Sequence, residues 1–185
     1  MNVQHSSRSD KWYTPVDIID RAKHVLGHID VDPATDAFGN SRIGATYAIT
    51  KEMDGLSTEW AFMGEQHPVT AFLNPPGWKL GNKSLSALFW QKLMQLRERG
   101  ALAHAIFMAF SIEAMQTTQG KGCKSIGHFP CCIPAKRLRF DKPDGHVNSQ
   151  APSHSNVIVY VPGTQKNIPA FVTAFDPVGL ITIPL

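Results

Sequence analysis

A short apolar run that ends in two consecutive prolines restricts the fold of this chain more than any other feature. Residues 69–73 are apolar apart from one threonine, and Asn74-Pro75-Pro76-Gly77-Trp78 follows them at once. Each proline fixes its own φ angle and has no N–H to donate, and Pro75 also biases Asn74 toward extended geometry. The sequence therefore predicts a buried strand with a stiff and abrupt end.

The end of this strand is rich in hydrogen-bond acceptors. The side-chain oxygen of Asn74 and the carbonyls of Asn74 and Pro75 can accept hydrogen bonds from a planar amino group, and Trp78 can stack on the ring that carries it. A proline-rich strand exit without any chemistry is the other interpretation of an isolated Asn-Pro-Pro. The rest of the chain decides between the two.

Length and composition limit the chain to a few classes of protein. With 185 residues, of which 43% are hydrophobic, we expect a single domain over residues 1–185, with residues 1–10 as a flexible N-terminal segment. No apolar stretch has the length of a membrane span, and the N-terminus lacks the apolar core of a signal peptide, so we expect a cytoplasmic protein without a membrane partner. The net charge of +3 is compatible with nucleic-acid binding but does not require it.

The cysteines suggest neither a disulfide framework nor a standard metal site. Cys123, Cys131 and Cys132 are odd in number, and adjacent cysteines rarely pair with each other. Together with His128 they form a conceivable metal cluster, but their spacing matches no standard zinc site. We therefore expect no metal and no disulfide.

Helical and strand patterns alternate along the chain. One amphipathic helix is predicted to be capped at Thr14, with Pro15 in its first turn and its end at Gly27. A second runs from a Ser84 cap to Gly100, and residues 112–116 have short helical character. The predicted strands are residues 29–31, 46–50, 69–73, 103–110, 126–133, 156–161 and 180–183. Residues 34–41 are expected to form a loop and residues 54–57 a turn. The alternation predicts an α/β fold, with a compact and mostly parallel sheet covered by helices on both faces.

Three polar or aromatic positions fall at the ends of predicted strands. Asp32 follows the strand at 29–31, Asn74 follows the strand at 69–73, and Phe110 ends the strand at 103–110. Ligands of parallel sheets bind beyond the carboxyl ends of the strands. We therefore expect these three positions to border one site.

Five short motifs occur along the chain in a characteristic order. They are Trp12-Tyr13-Thr14-Pro15, Asp32-Pro33-Ala34, Asp54-Gly55-Leu56, Asn74-Pro75-Pro76, and Ala151-Pro152-Ser153 followed by residues 157–161. In this order they resemble the phage Dam-like DNA N6-adenine methyltransferases over nearly the whole chain. The resemblance implies a Rossmann-like methyltransferase fold, S-adenosyl-L-methionine as the cofactor and DNA as the partner, in a bacterial or phage-infected cell. It also implies methyl transfer to the exocyclic amino nitrogen of adenine.

The resemblance implies roles for individual residues as well. Asn74, Pro75 and Pro76 match the catalytic tetrapeptide of the family. Gly77 stands where the family usually has an aromatic residue, so we assign the stacking role to Trp78, with Trp12 and Tyr13 as alternatives. By the resemblance Thr14 and Pro15 match the motif near the methionine end of the cofactor, and Asp32 matches the acidic residue at the first strand end. The cofactor positions that we expect are Tyr13, Thr14, Pro15, Asp32, Pro33, Ala34 and Asp54, the last of these for the ribose hydroxyls.

Two of these assignments have alternatives of their own. Asp32-Pro33 is also typical of a plain turn at the end of a strand. Glu52 could hold the ribose hydroxyls of the cofactor instead of Asp54, and a simple turn around Gly55 explains the same residues.

Basic residues near the predicted site are candidates for contact with DNA phosphates. Lys79 and Lys83 lie in the polar segment after Trp78, and Arg137 and Arg139 alternate with apolar residues after Pro134. A solvated charge cluster is the alternative for the two arginines. No helix-turn-helix or zinc-finger signature is present to read base edges.

Two other functions fit the same residues. An acceptor-rich corner can also hold the amino or amide group of RNA or of protein glutamine, so a methyltransferase acting on those substrates is one alternative. The other is a catalytically inactive relative that binds cofactor or DNA, and the glycine at position 77 is the feature that favours it.

Overall fold

Helices and strands alternate along the part of the chain that the computed structural model describes, which is residues 12–61, 67–77, 79–142 and 154–184. The α-helices among these residues are α1 (Val16–Leu26), α2 (Ala37–Ile43), α3 (Leu85–Glu98), α4 (Ala114–Thr117) and α5 (Ile168–Phe175). The strands are β1 (Val31–Asp32), β2 (Tyr47–Ala48), β3 (Val69–Leu73), β4 (Lys79–Leu80), β5 (Lys83–Ser84), β6 (Leu102–Ala109), β7 (Cys131–Pro134), β8 (Val157–Pro162) and β9 (Gly179–Thr182). Short 3₁₀ helices occupy Lys51–Met53 and Ile126–His128.

A central sheet contains all of these strands except β4 and β5, in the order β2-β1-β3-β6-β8-β7-β9. The first four strands in this order pair in parallel. β7 points the same way as β6, because both pair antiparallel with β8. Among the described residues only β8 and β9 run in the opposite direction, so the expected α/β fold with a mostly parallel sheet is confirmed.

Apolar cores cover both faces of the sheet. The residues of β3 and β6 are all buried, as their unbroken apolar runs predict. Because side chains alternate between the two faces of a strand, Val69, Ala71 and Leu73 pack in one core and Phe72 in the other. The first core includes the buried face of α3, and the second includes those of α1 and α5.

Two helices follow the sequence pattern closely. α1 occupies Val16–Leu26 and is followed by Gly27 at a φ of 69°, a conformation that favours glycine. Its apolar residues are buried except for the first, Val16. Ser84 caps α3 by accepting a hydrogen bond from the Ala87 N–H. The expected cap at Thr14 is wrong: Pro15 occupies the cap position of α1, and no side chain caps this end of the helix.

Three segments differ from the expectation. Residues 34–41 were expected to form a loop, but α2 begins at Ala37, and Asp36 caps it by accepting a hydrogen bond from the Gly39 N–H at 2.8 Å. The predicted strand at 126–133 begins instead with a 3₁₀ helix, and only Cys131–Pro134 joins the sheet. α5 was not predicted at all.

Across the described ranges, no helix combines the length and the apolar character needed to cross a membrane.

β1, β2, β3, β6 and β7 all end at the same side of the sheet, which we call the carboxyl end and which Pro33, Ile49, Asn74, Phe110 and Ala135 border. The chain leaves β1 to form β2 on one side and then returns past β1 to form β3 on the other. The strand order therefore reverses between β1 and β3. A crevice at such a reversal is the usual ligand site of open α/β sheets.

Candidate functional site

Asn74 lies directly after β3, beside the point where the strand order reverses. β1 and β3 are neighbours, with Val31 opposite Ala71. Asp32 is the last residue of β1 rather than the residue after it, and it lies level with Phe72, two residues before Asn74. Ordinary strand spacings put the two Cα atoms about 8 Å apart. The Asn74 side chain is half-buried, and within the described part of the chain no hydrogen bond engages it. Its amide oxygen is therefore available to a ligand in the crevice.

Asp32 is almost completely enclosed, with 1% of its surface exposed. Its carboxyl accepts a hydrogen bond from the Ala34 N–H at 3.1 Å and thereby holds the turn after β1. Burial raises the pKa of Asp32 to about 7, although hydrogen bonds from Ala34 and Thr35 act in the opposite direction. Direct contact between this carboxyl and a ligand, which the sequence predicts, would require the turn to open.

The loop that contains Asp54 packs directly on this turn. A Cβ atom added to Gly55 would lie 1.9 Å from the Pro33 carbonyl oxygen, so only glycine permits this approach. The Gly55 carbonyl in turn accepts a hydrogen bond from the buried Trp60 indole at 2.7 Å. The Asp54 carboxylate accepts hydrogen bonds from the Ser57 hydroxyl and the Leu56 N–H, which lower its pKa. Two of the motifs are thus brought into contact here.

The motif at residues 12–15 reaches the same end of the sheet through Tyr13. The Tyr13 hydroxyl donates a 2.8 Å hydrogen bond to the Asp36 carboxylate, and its ring meets Phe38 edge-on at 4.8 Å. Burial, reinforced by the hydrogen bond to Asp36, raises the pKa of Tyr13 to about 12. Thr14 is 3% exposed and Pro15 is half-buried at the start of α1.

An aromatic pair lies on the other side of Asn74, where β6 ends. The Phe110 ring packs against Gly77, where an added Cβ would come within 2.7 Å of ring atoms. The His154 ring lies 4.5 Å from the same ring at an angle of 46°. The Asn156 side-chain amide donates to the Phe110 carbonyl at 3.2 Å and ties the start of β8 to this end of the sheet. Phe110 is still 39% exposed.

The predicted basic residues also lie at the carboxyl end. Arg137 and Arg139 are exposed on the segment that follows β7, while Leu138 and Phe140 between them pack against the core. This segment ends where Asp141 pairs with Tyr13 through two backbone hydrogen bonds and with Arg42 through an ion pair. The predicted alternation of exposed and packed side chains is present along residues 137–140, but this segment is not part of the sheet.

Lys79 and Lys83 belong to a small hairpin that follows Asn74-Pro75-Pro76-Gly77. Strands β4 and β5 pair antiparallel, with Lys79 opposite Ser84 and Leu80 opposite Lys83. Both lysines are exposed. Among the predicted site residues Trp78 lies outside the described residues, as do the Ala151-Pro152-Ser153 motif and the N-terminal segment 1–10.

The cysteines and a separate cavity lie away from this site. Cys131 and Cys132 are consecutive in β7, so their thiols enter opposite cores, and no metal-binding group of His, Cys, Asp or Glu occurs among the described residues. A cavity of about 460 Å³ between α4 and β7 is bordered by Cys123, Ser125 and His128. Ser125 and His128 bond each other within one 3₁₀ turn, and burial raises the pKa of Cys123. These are poor conditions for a nucleophile.

The structure thus places four of the five sequence motifs at the carboxyl end of the sheet. Asn74, whose side-chain amide makes no hydrogen bond within the described residues, lies there between a side with carboxyl groups and a side with aromatic and basic residues. Sequence reasoning missed Asp36, because the segment around it was expected to be a loop; an aspartate three residues before a buried glycine was the available signal. It also missed His154 and Asn156.

Comparison of the chain with protein-family models, curated proteins and solved structures found no match.

Proposed function

We propose that this protein transfers a methyl group from S-adenosyl-L-methionine to the exocyclic amino nitrogen of adenine in DNA. The observation that carries the proposal is the position of Asn74. Its half-buried amide makes no hydrogen bond within the described chain, and it stands at the end of β3 where the strand order reverses. An acceptor in that position suits a planar amino group.

The sheet supports a Rossmann-like methyltransferase fold. The order β2-β1-β3-β6, with all four strands parallel, corresponds to a doubly wound sheet in which the ligand crevice lies between β1 and β3. The motifs that resemble the phage Dam-like adenine methyltransferases border this crevice. Their convergence is a reason to treat them as parts of one site rather than as unrelated turns.

The chemistry of the β1 and β2 ends suits the cofactor. S-adenosyl-L-methionine carries an ammonium, a sulfonium and two ribose hydroxyls, and all of these favour oxygen acceptors. Asp36 and Asp54 present carboxylates beside the Pro33–Ala34 turn, and Tyr13 fixes the first of them. Phe38 next to Tyr13 is a partly exposed ring on which an adenine can pack. In this proposal Asp32 acts mainly by holding the turn.

The proposed reaction needs positioned acceptors rather than an ionisable base. When bound, the cofactor supplies an electrophilic methyl group. The side-chain oxygen of Asn74 and the Pro75 carbonyl accept the two N–H bonds of the adenine amino group and direct its lone pair toward that methyl. The methyl group would pass to the amino nitrogen while its former bonding electrons stay with sulfur, and the two oxygens would stabilise the positive charge that the nitrogen gains. The proton then leaves to water, because an amide is not a base near neutral pH.

Access to adenine in a duplex requires that the base leave the stack. Extrusion costs a few kcal/mol, and stacking on an aromatic side chain returns about 1–3 kcal/mol. Trp78 remains the predicted platform. Phe110 and His154 form an additional aromatic surface beside Gly77. The exposed Lys79, Lys83, Arg137 and Arg139 are suited to the flanking phosphates.

The test is incubation of the purified protein with labelled S-adenosyl-L-methionine and unmethylated DNA, RNA or protein, followed by identification of the labelled product. We expect methylated adenine in DNA. Asn74→Ala should lower the rate by about 10²–10³-fold, as does removal of one electrostatic contact to a transition state. Asn74→Asp is the matched variant, because it keeps an oxygen acceptor at the same place and should retain more activity than the alanine variant.

Other outcomes would favour the alternatives. Label in RNA or in protein glutamine, lost with Asn74→Ala, would keep the mechanism and change the substrate. Cofactor binding without label in any polymer would indicate an inactive relative. Full activity of a correctly folded Asn74→Ala variant would contradict the proposed mechanism.

A further inference from the structure

The hairpin that follows the Asn-Pro-Pro corner presents an apolar side chain to solvent. Leu80 pairs across the hairpin with Lys83, and 63% of its surface is exposed. It belongs to neither of the apolar cores of the described chain. Gly81, at a φ of 58°, begins the two-residue turn, a position that favours glycine. The fold of the hairpin therefore gives no packing reason for a leucine at this place.

The surroundings of Leu80 are cationic. Lys79 and Lys83 flank it and are exposed, and residues 77–85 contain no acidic side chain. An apolar tip between two positive charges is complementary to a nucleic acid, whose phosphates lie outside and whose apolar base faces are stacked inside.

The hairpin is also close to the proposed reaction centre. Leu80 is six positions after Asn74 in the sequence, which limits the distance between their Cα atoms to about 20 Å even if the chain were fully extended. An extruded base and the gap that it leaves belong to the same nucleotide, so a side chain near one is also near the other.

We infer that Leu80 enters the DNA duplex and fills the gap left by the extruded adenine, while Lys79 and Lys83 contact the phosphates on either side of it. This inference rests on the proposed function. Apolar wedges of this kind are a known way for proteins to offset the unstacking of a base step. Leu80 is thus a positioning residue that assists extrusion and takes no part in methyl transfer itself.

The inference predicts a selective defect. Leu80→Ala should slow methylation of duplex DNA by about 10-fold or more, because the alanine side chain is too short to fill the gap. A small loss of transition-state stabilisation is enough for a tenfold lower rate. Methylation of single-stranded DNA should be nearly unchanged, because no gap forms there. The substrates are a closed circular duplex and the single-stranded circle of the same sequence, compared by kcat/KM.

Two further variants control for general effects. Leu180→Ala removes a leucine of similar exposure, 65%, from strand β9, and it should leave the ratio of duplex to single-strand activity unchanged. Leu80→Met keeps an apolar side chain of similar size and should restore most of the duplex activity. Substitutions at such exposed positions change stability little.

An equal loss on both DNA forms, or no loss on either, would overturn the role of Leu80 and leave the proposed function standing. The same ratio in Leu180→Ala as in Leu80→Ala would also overturn it. A wild-type protein that methylates neither form would overturn the proposed function, and this inference with it.

Discussion

At the scale of single residues, burial controls the protonation of the groups at the carboxyl end of the sheet. Asp32 and Tyr13 both have raised pKa values, and loss of contact with water is the largest cause for each. Asp54 is exposed and held by hydrogen bonds, so its pKa moves the other way. Three groups of one site therefore titrate according to their local environment rather than their residue type.

Asp32→Asn is expected to stabilise the protein above neutral pH. The pKa of Asp32, about 7, lies above that of an aspartate in the unfolded chain, 3.8. The folded state therefore binds more protons between these two values, and the free energy of unfolding falls as the pH rises through this interval. Asparagine avoids this loss, which corresponds to about 4 kcal/mol for three pKa units. Urea unfolding at pH 4, 6 and 8 measures the difference between the two proteins.

The control is Asp54→Asn. The pKa of Asp54 is lowered in the folded state, so its contribution is present at neutral pH and is lost as the pH falls through the folded pKa. Both variants should thus resemble the wild type at low pH and depart from it as the pH rises, Asp32→Asn toward higher stability and Asp54→Asn toward lower stability. Parallel stability curves for wild type and Asp32→Asn would contradict the prediction.

At the scale of elements, the site is assembled by close contacts in which a glycine meets either a backbone oxygen or an aromatic ring. The loop after β2 meets the turn after β1 at Gly55, and the corner after β3 meets the end of β6 at Gly77. In both places a side chain on the glycine would overlap a neighbour. The relative positions of four strand ends therefore depend on the absence of two Cβ atoms.

Gly55→Ala tests this dependence. The added Cβ would lie 1.9 Å from a backbone oxygen that has little freedom to move, so we expect a loss of about 1–3 kcal/mol in the free energy of unfolding. Binding of S-adenosyl-L-methionine should weaken as well, because the loop would no longer rest on the Pro33 turn. Chemical unfolding and calorimetric titration give the two quantities.

Gly127→Ala is the matched substitution. Its added Cβ would meet only the end of the Met115 side chain, at 3.9 Å, so stability should change by no more than about 0.5 kcal/mol. Equal effects of the two substitutions would show that close packing at Gly55 is not the cause.

At the scale of the whole molecule, exposed basic residues occupy the same end of the sheet as the strand ends and their loops. Arg139 and Lys83 are exposed there, on segments that follow β7 and β3, and the aromatic pair formed by Phe110 and His154 lies at the same end. Lys166 is also exposed, but it follows β8, which runs antiparallel to β6. It therefore lies at the opposite end of the sheet.

This arrangement predicts that removal of a positive charge weakens DNA binding at the carboxyl end of the sheet but not at the opposite end. Arg139→Ala and Lys83→Ala should each weaken affinity and reduce the slope of log K against log salt by about 1, since each removes one phosphate contact. Lys166→Ala should leave the slope unchanged. Titration of DNA at several salt concentrations measures all three, and a similar change for Lys166→Ala would contradict an oriented interface.

Local patterns in the sequence were sufficient for much of the fold. β3 has the predicted bounds, and α1, α3 and β6 lie where expected, because amphipathic spacing and unbroken apolar runs reflect burial within one element. α2 and α5 were not predicted from the sequence, and the reason is physical. Gly39, Asn40 and Ser41 have weak helix propensity, and α5 depends on packing of Phe171 and Phe175 in the core it shares with α1.

The sequence alone determined that Asp32, Asn74 and Phe110 end strands, since prolines and changes from apolar to polar residues act on the neighbouring backbone. It could not determine which ends would touch. The approaches of Gly55 to Pro33 and of Gly77 to Phe110 join segments that are far apart along the chain. Such contacts depend on strand order and on the exact distance between backbones, and these arise only when both cores close around the sheet.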